Sequence, residues 1–223
     1  MWYYVVSIVL LFVSLIISSL VSYSFKKYSS VFTTNNGANT AQIILDHYRI
    51  SDVKINSISG SLTDNYNPVN KTLNLSTSVF SANSISAIAV SAHECAHAIQ
   101  DKQGYPFLRL RKTLVPIANF TSYGSYFAIF LGLLVDATDL ITIGAILFSI
   151  IVLVNLITLP VEIDASNRAL AIIEQLDLVD QPDMKGCKVV LRAAGLTYFV
   201  ALASSLLTLF RLLSIANRHR RKD

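Results

Sequence analysis

Cysteine is nearly missing from this chain, with two in 223 residues. Cys95 and Cys187 lie far apart, and the first sits inside a histidine motif, so a disulfide framework and a four-cysteine zinc site are both excluded. Charge is scarce too, at 14% of residues against 53% hydrophobic. A soluble core that took in all those apolar side chains would leave too few polar ones for a surface, so the excess must face lipid. There is no internal repeat, and no low-complexity tract beyond asparagine-rich turns. The length suits one functional unit with several membrane spans and excludes two large soluble domains. The net charge of +4 does not point to nucleic acid, because Lys26-Lys27, Arg109 to Lys112 and Arg218 to Lys222 flank apolar runs, as basic residues do at membrane borders.

What is present reads as a mainly α membrane protein: about four transmembrane helices and a small α+β subdomain. Residues 1–24 form an N-terminal span, which we read as a signal anchor because no positive charge precedes its apolar stretch. Residues 25–112 form the subdomain. A helix is expected over Ala38 to Tyr48, with Ala41, Ile44 and Leu45 on one face and Asn39 or Thr40 as its cap. Alternation in Val53 to Ile58 and Lys71 to Ser76, around the turn Asn65 to Pro68, predicts a β-hairpin. Ser84 to Lys102 returns to helical spacing, with Ile85, Ile88, Ala92, Ala96 and Ile99 as its buried stripe. Residues 113–160 hold a tight hairpin of two spans turning at Asp136 to Asp139. Pro160 marks the exit, so that a separate, more polar helix starts in residues 161–188. Residues 189–223 carry the last span and a basic tail.

The chemistry concentrates in His93-Glu94-Cys95-Ala96-His97. Side chains four apart on a helix lie about 40° apart around its axis, so both imidazoles can reach one zinc ion. Glu94 is rotated by about 100° from His93 and is placed to act as general base on a water. With three glutamates and four histidines in the chain, a shuffled sequence would contain this pattern roughly once in a thousand. A catalytic zinc needs a third protein ligand and an open position. Glu174, His47 and His219 are available, but Glu162 is favoured, because the span hairpin leaves the catalytic side after Lys112 and returns to it at Pro160. The other reading of Glu162 is an acid stabilising a helix N-terminus.

Ser91-Ala-His-Glu-Cys-Ala-His-Ala-Ile-Gln100 together with Leu159-Pro-Val-Glu-Ile-Asp-Ala-Ser166 resembles the YugP-like neutral zinc metallopeptidases of bacterial membranes. The likeness runs along nearly the whole chain, through Ala41 to Asp46, Gly60 to Pro68, Leu73 to Ser76, Pro116 to Phe120 and Ala194 to Tyr198. It implies a single zinc ion on His93, His97 and Glu162, with Glu94 as base, and a distant similarity to HtpX-type membrane gluzincins. Those relatives have an aspartate four residues after the glutamate ligand, where this chain has Ser166. Support for the metal ligands is thus expected from the Ser166 hydroxyl, from Asp164 or from another group.

Tyr198 is a candidate donor to the developing oxyanion, with helix packing as its alternative. Asn119 and Asn155 are expected to hydrogen-bond between helices, Arg192 to reach the membrane interface, and Cys95 to pack. Asp64 and Tyr66 belong to a segment that presents either an edge strand to an extended substrate or a solvated turn. The function expected is a membrane zinc endopeptidase acting on membrane-associated or unfolded polypeptides, with the bilayer as its second partner and no nucleic acid. The alternatives are a catalytically silent zinc scaffold and a zinc hydrolase of another substrate class. Basic residues around Lys26, Arg109 to Lys112 and Arg168 place the catalytic side in the cytoplasm of a multi-pass cell-membrane protein, although four spans then export Arg218 to Lys222. A single cysteine introduced near Gly104 should accordingly resist an impermeant thiol reagent in intact cells; labelling from outside reverses the orientation.

Overall fold

The computed structural model describes residues 2–219, and the end of the basic tail, residues 220–223, lies outside them. The chain is a mainly helical membrane protein with a small sheet. In order come α1 (Trp2–Ser29), α2 (Gly37–His47), β1 (Lys54–Ile58), β2 (Asn65–Asn67), β3 (Thr72–Ser76), the short α3 (Thr77–Phe80), α4 (Ile85–Gln103), α5 (Pro106–Leu134), α6 (Thr138–Gln175) and α7 (Met184–His219). Among the described residues, the four helices long and apolar enough to cross a membrane are α1, α5, α6 and α7. The chain divides into two compact units. One holds residues up to Leu15, Phe107–Pro160 and residues from Tyr198 on; the other holds Ile16–Pro106 and Val161–Thr197.

In the first unit the expected span hairpin is present. Asp136, at φ 53°, reverses the chain, and the Ala137 amide donates to the Gly132 carbonyl at 2.8 Å. Gly144 allows close approach of α5, since a Cβ there would come within 3.1 Å of the Ile129 nitrogen. The Ser125 hydroxyl donates to the Gly144 carbonyl at 2.9 Å across the same contact. Phe120, Tyr123, Phe127 and Phe130 point outward from α5, as they would toward lipid, and Asn119 is exposed with them instead of lying between helices.

The second unit has its own core, built on Ile44, Leu45, Leu73, Leu75, Ile85, Ile88, Ile99 and Ile173. Helix α2 begins earlier than expected. Asn36, not Asn39 or Thr40, is its cap and accepts from the Asn39 amide at 2.8 Å. Gly37 then falls in the first turn, against the Val79 carbonyl oxygen and the Ser91 hydroxyl.

The predicted pairing of the two alternating segments is also corrected. β1 runs parallel to β3, with Ile55 beside Leu73, and β2, drawn from the expected turn, pairs antiparallel with the other side of β3. Residues 59–71 are long enough for the crossover that parallel pairing requires. Asp64 fixes their return by accepting from the Ser76 amide at 2.7 Å and its hydroxyl at 3.0 Å.

α4 follows the sequence closely, with Ser84 as its cap and every residue of the predicted apolar stripe buried. α6, in contrast, does not stop at Pro160 and runs unbroken to Gln175. Proline removes one backbone donor. Ending the helix there would leave several carbonyls and amides without partners, the larger cost in an apolar setting.

Crowding at Gly37 makes its substitution informative. Gly37→Ala should lower stability by about 1–3 kcal/mol, the usual range for overpacking. Gly195→Ala, where an added Cβ meets nothing within 4 Å, should hold or raise the melting temperature in detergent, since alanine favours a helix interior; equal melting of both variants would contradict the packing described.

Candidate metal centre

Helix α4 presents His93 and His97 on one face, their rings edge to face with centroids 4.8 Å apart. Glu162 reaches them from α6, and its Oε2 lies 3.1 Å from His93 Nε2 and 3.5 Å from His97 Nε2. Four-coordinate zinc with ligands at 2.0–2.1 Å separates its donor atoms by about 3.3 Å, so these spacings suit one ion. One ligand atom from each of the three residues lies within 4.8 Å of the others, and the group can hold a metal.

The outer nitrogens of both rings are engaged. Gln100 donates through Nε2 to the Val161 carbonyl at 2.9 Å and to Asp164 Oδ2 at 2.8 Å. Both partners only accept, so the orientation of the Gln100 amide is fixed and its Oε1 faces His97 Nδ1 at 2.9 Å. That nitrogen must therefore carry a proton, which leaves the lone pair of neutral His97 on Nε2, toward Glu162. The Ser166 hydroxyl lies 3.3 Å from His93 Nδ1 and can accept in the same way. Ser166 and Asp164, the two groups anticipated from the sequence, both lie in this network, Ser166 in contact with His93 and Asp164 through Gln100. Gln100 itself was missed. The available signal was its position three residues after His97 on the same helix, but its partners lie on another element.

Burial pushes the Glu94 carboxyl above the usual glutamate range. For His97, burial disfavours the imidazolium, but the Glu162 carboxylate beside it outweighs that effect and raises its pKa. Cys95 packs as expected: its buried sulfur faces the Ala41 carbonyl, and burial pushes the thiol well above its ordinary value. Of the other ligand candidates, Glu174 and His47 are exposed away from the group, and the side chain of His219 lies outside the described set. Tyr198 lies half-buried on α7 and belongs to the other unit. Tyr66 ties β2 to α4, its hydroxyl donating to Asp101 at 2.8 Å; Lys71 adds a 2.6 Å ion pair to the same carboxylate.

Comparison with known proteins agrees with this chemistry. The sequence model of a family described as "Putative neutral zinc metallopeptidase" matches residues 3–217. "Putative membrane protease YugP" of Bacillus subtilis (strain 168) is 41% identical over 194 residues, which cover 86% of each chain. No solved structure matches.

The neutral hydroxyl at Ser166 gives a graded test. Ser166→Ala should weaken zinc binding roughly 10-fold, and Ser166→Asp should strengthen it by placing a carboxylate on His93. Chelator competition measures both, and identical affinities in all three proteins would show that this contact does not tune the site.

Proposed function

Because the chain belongs to the neutral zinc metallopeptidase family, we propose that it is a membrane-embedded zinc endopeptidase, with His93, His97 and Glu162 holding one ion and Glu94 as the base. The observation that carries this reading is the convergence of His93 Nε2, His97 Nε2 and Glu162 Oε2, with a partner at the far nitrogen of each ring. Zinc bound there supplies Lewis acidity, polarising a peptide carbonyl and acidifying water. Glu94 accepts a proton from the attacking water and returns it to the leaving nitrogen as the C–N bond breaks. Its buried setting suits the task, since a base with a raised pKa holds the proton more firmly. Gln100 and Ser166 keep the two imidazoles oriented.

The proposed substrate is a polypeptide that can lie extended at the site, which favours unfolded or membrane-associated chains over compact proteins. Glu162 supports the membrane-associated class, because it follows Pro160 by two residues on a helix long enough to span the bilayer. The outer strand β2, anchored to α4 through Tyr66 and Asp101, offers backbone groups to such a segment. The basic flanks assign the catalytic side to the cytoplasm.

Glu94→Gln should retain one zinc per chain and lose at least about 100-fold in kcat, since it removes the base and leaves the ligands. Glu162→Ala should lose zinc and activity together. Metal analysis beside cleavage of an unfolded peptide separates these outcomes, and full zinc occupancy in Glu162→Ala would reject the ligand set. Glu94 works only when ionised, so activity should fall as pH drops through its pKa. That acidic limb should be missing from the residual activity of Glu94→Gln; a limb unchanged in the variant would dissociate it from Glu94.

A further inference from the structure

The amide of Gln100 stands at the crossing of two networks. On α4 it accepts from His97 Nδ1; toward α6 it donates to the Val161 carbonyl and Asp164, the residues on either side of the Glu162 turn. Asp164 Oδ2 also accepts from Arg168 Nε, and Arg168 Nη1 donates back to Gln103 Oε1 on α4 at 2.6 Å. Gln100 is fully buried, so water does not compete for these bonds. The chain of contacts runs from His97 through Gln100 and Asp164 to Arg168, and each link has one direction of donation. Arg168 only donates, a carboxylate only accepts, and the amide must then turn its oxygen to His97.

We propose that Gln100, oriented by Asp164 and Arg168, is a positioning residue that sets His97 with its Nε2 lone pair toward the metal position and clamps the α6 turn carrying Glu162. The proposal rests on the ligand set given above. It goes further in making the amide direction at residue 100, and not only its bulk, the determinant of metal affinity. A carboxylate at that position would still accept from His97, but it has no proton to give to Val161 or Asp164, and it would face the Asp164 carboxylate across a hydrogen-bond distance. Repulsion would turn it away from His97. Replacing Asp164 by asparagine as well restores a donor across the gap, and the introduced carboxylate can then settle on His97 Nδ1, an arrangement that strengthens histidine as a zinc ligand.

The test uses the full chain in detergent, with zinc affinity read by chelator competition and site geometry by the visible spectrum of the cobalt-substituted protein. Gln100→Glu should weaken zinc binding at least about 10-fold and alter the cobalt spectrum. Adding Asp164→Asn to that variant should bring affinity to within about threefold of the parent and recover the spectrum, whereas Asp164→Asn alone does not tighten binding, a non-additive pattern for contacting residues. Additive losses in the double variant, or unchanged affinity in Gln100→Glu, would overturn the proposal. A Gln100→Glu protein that fails to fold is judged by the double variant: recovery of folding and affinity together supports the relay, and continued failure overturns it. Absence of zinc binding in the parent would instead defeat the ligand set itself, so the two failures are distinguishable.

Discussion

Three electron-pair donors directed at one another in a nearly dry site need a cation between them. His93 Nε2, His97 Nε2 and Glu162 Oε2 are in that position, and the Glu162 side chain is only 3% exposed. Burial of Glu162 makes it costly to leave that charge unpaired. On the proposed ligand set a metal supplies that cation, and protons substitute for it in the metal-free protein. The pull of Glu162 on His97 overcomes burial and raises that histidine's pKa above 6.5. In metal-free protein this contribution to stability is fully present below the unfolded histidine value, and is lost as pH rises through the higher folded one. On that reading metal and protons compete for the same lone pairs.

The scaffold answers that need with two different kinds of stiffness. Helix α4 is buried along most of its length, so the turn from His93 to His97 is held by packing on its apolar sides. Glu162 lies on a helix that does not break at Pro160, and Ala165, Ala169, Ile172 and Ile173 beyond it are buried in the same core as α4. Gln100 joins the two. It uses both amide protons and its oxygen, which is how a buried amide avoids the penalty of an unmatched group.

What could be read from the sequence was local chemistry. The histidine pair follows from helical periodicity within five residues, and the apolar stripe of α4 from the same period. Glu162 was reachable because the chain has only three glutamates and the span hairpin returns to the α4 side at Pro160. Strand direction was not reachable, since alternation in β1 and β3 says which side chains turn inward and nothing about whether the strands run parallel, as they do. Pro160 misled because the helix rule weighs one lost donor against water, and in an apolar environment the comparison changes. Gln100 was hidden for a different reason. Its meaning lies in the Val161 carbonyl and the Asp164 carboxylate, which no periodicity on α4 reveals.

The separation of the ligands along the chain also bears on biogenesis. Helix α4 leaves the ribosome well before Glu162, and all of α5 and the first half of α6 come between them. A nascent chain that has made the histidine pair still lacks its carboxylate partner until that hairpin has been synthesised and inserted. Hydrolytic competence on the proposed ligand set is therefore withheld from a partly made or wrongly inserted chain. On that reading, correct membrane insertion is the step that completes the metal centre.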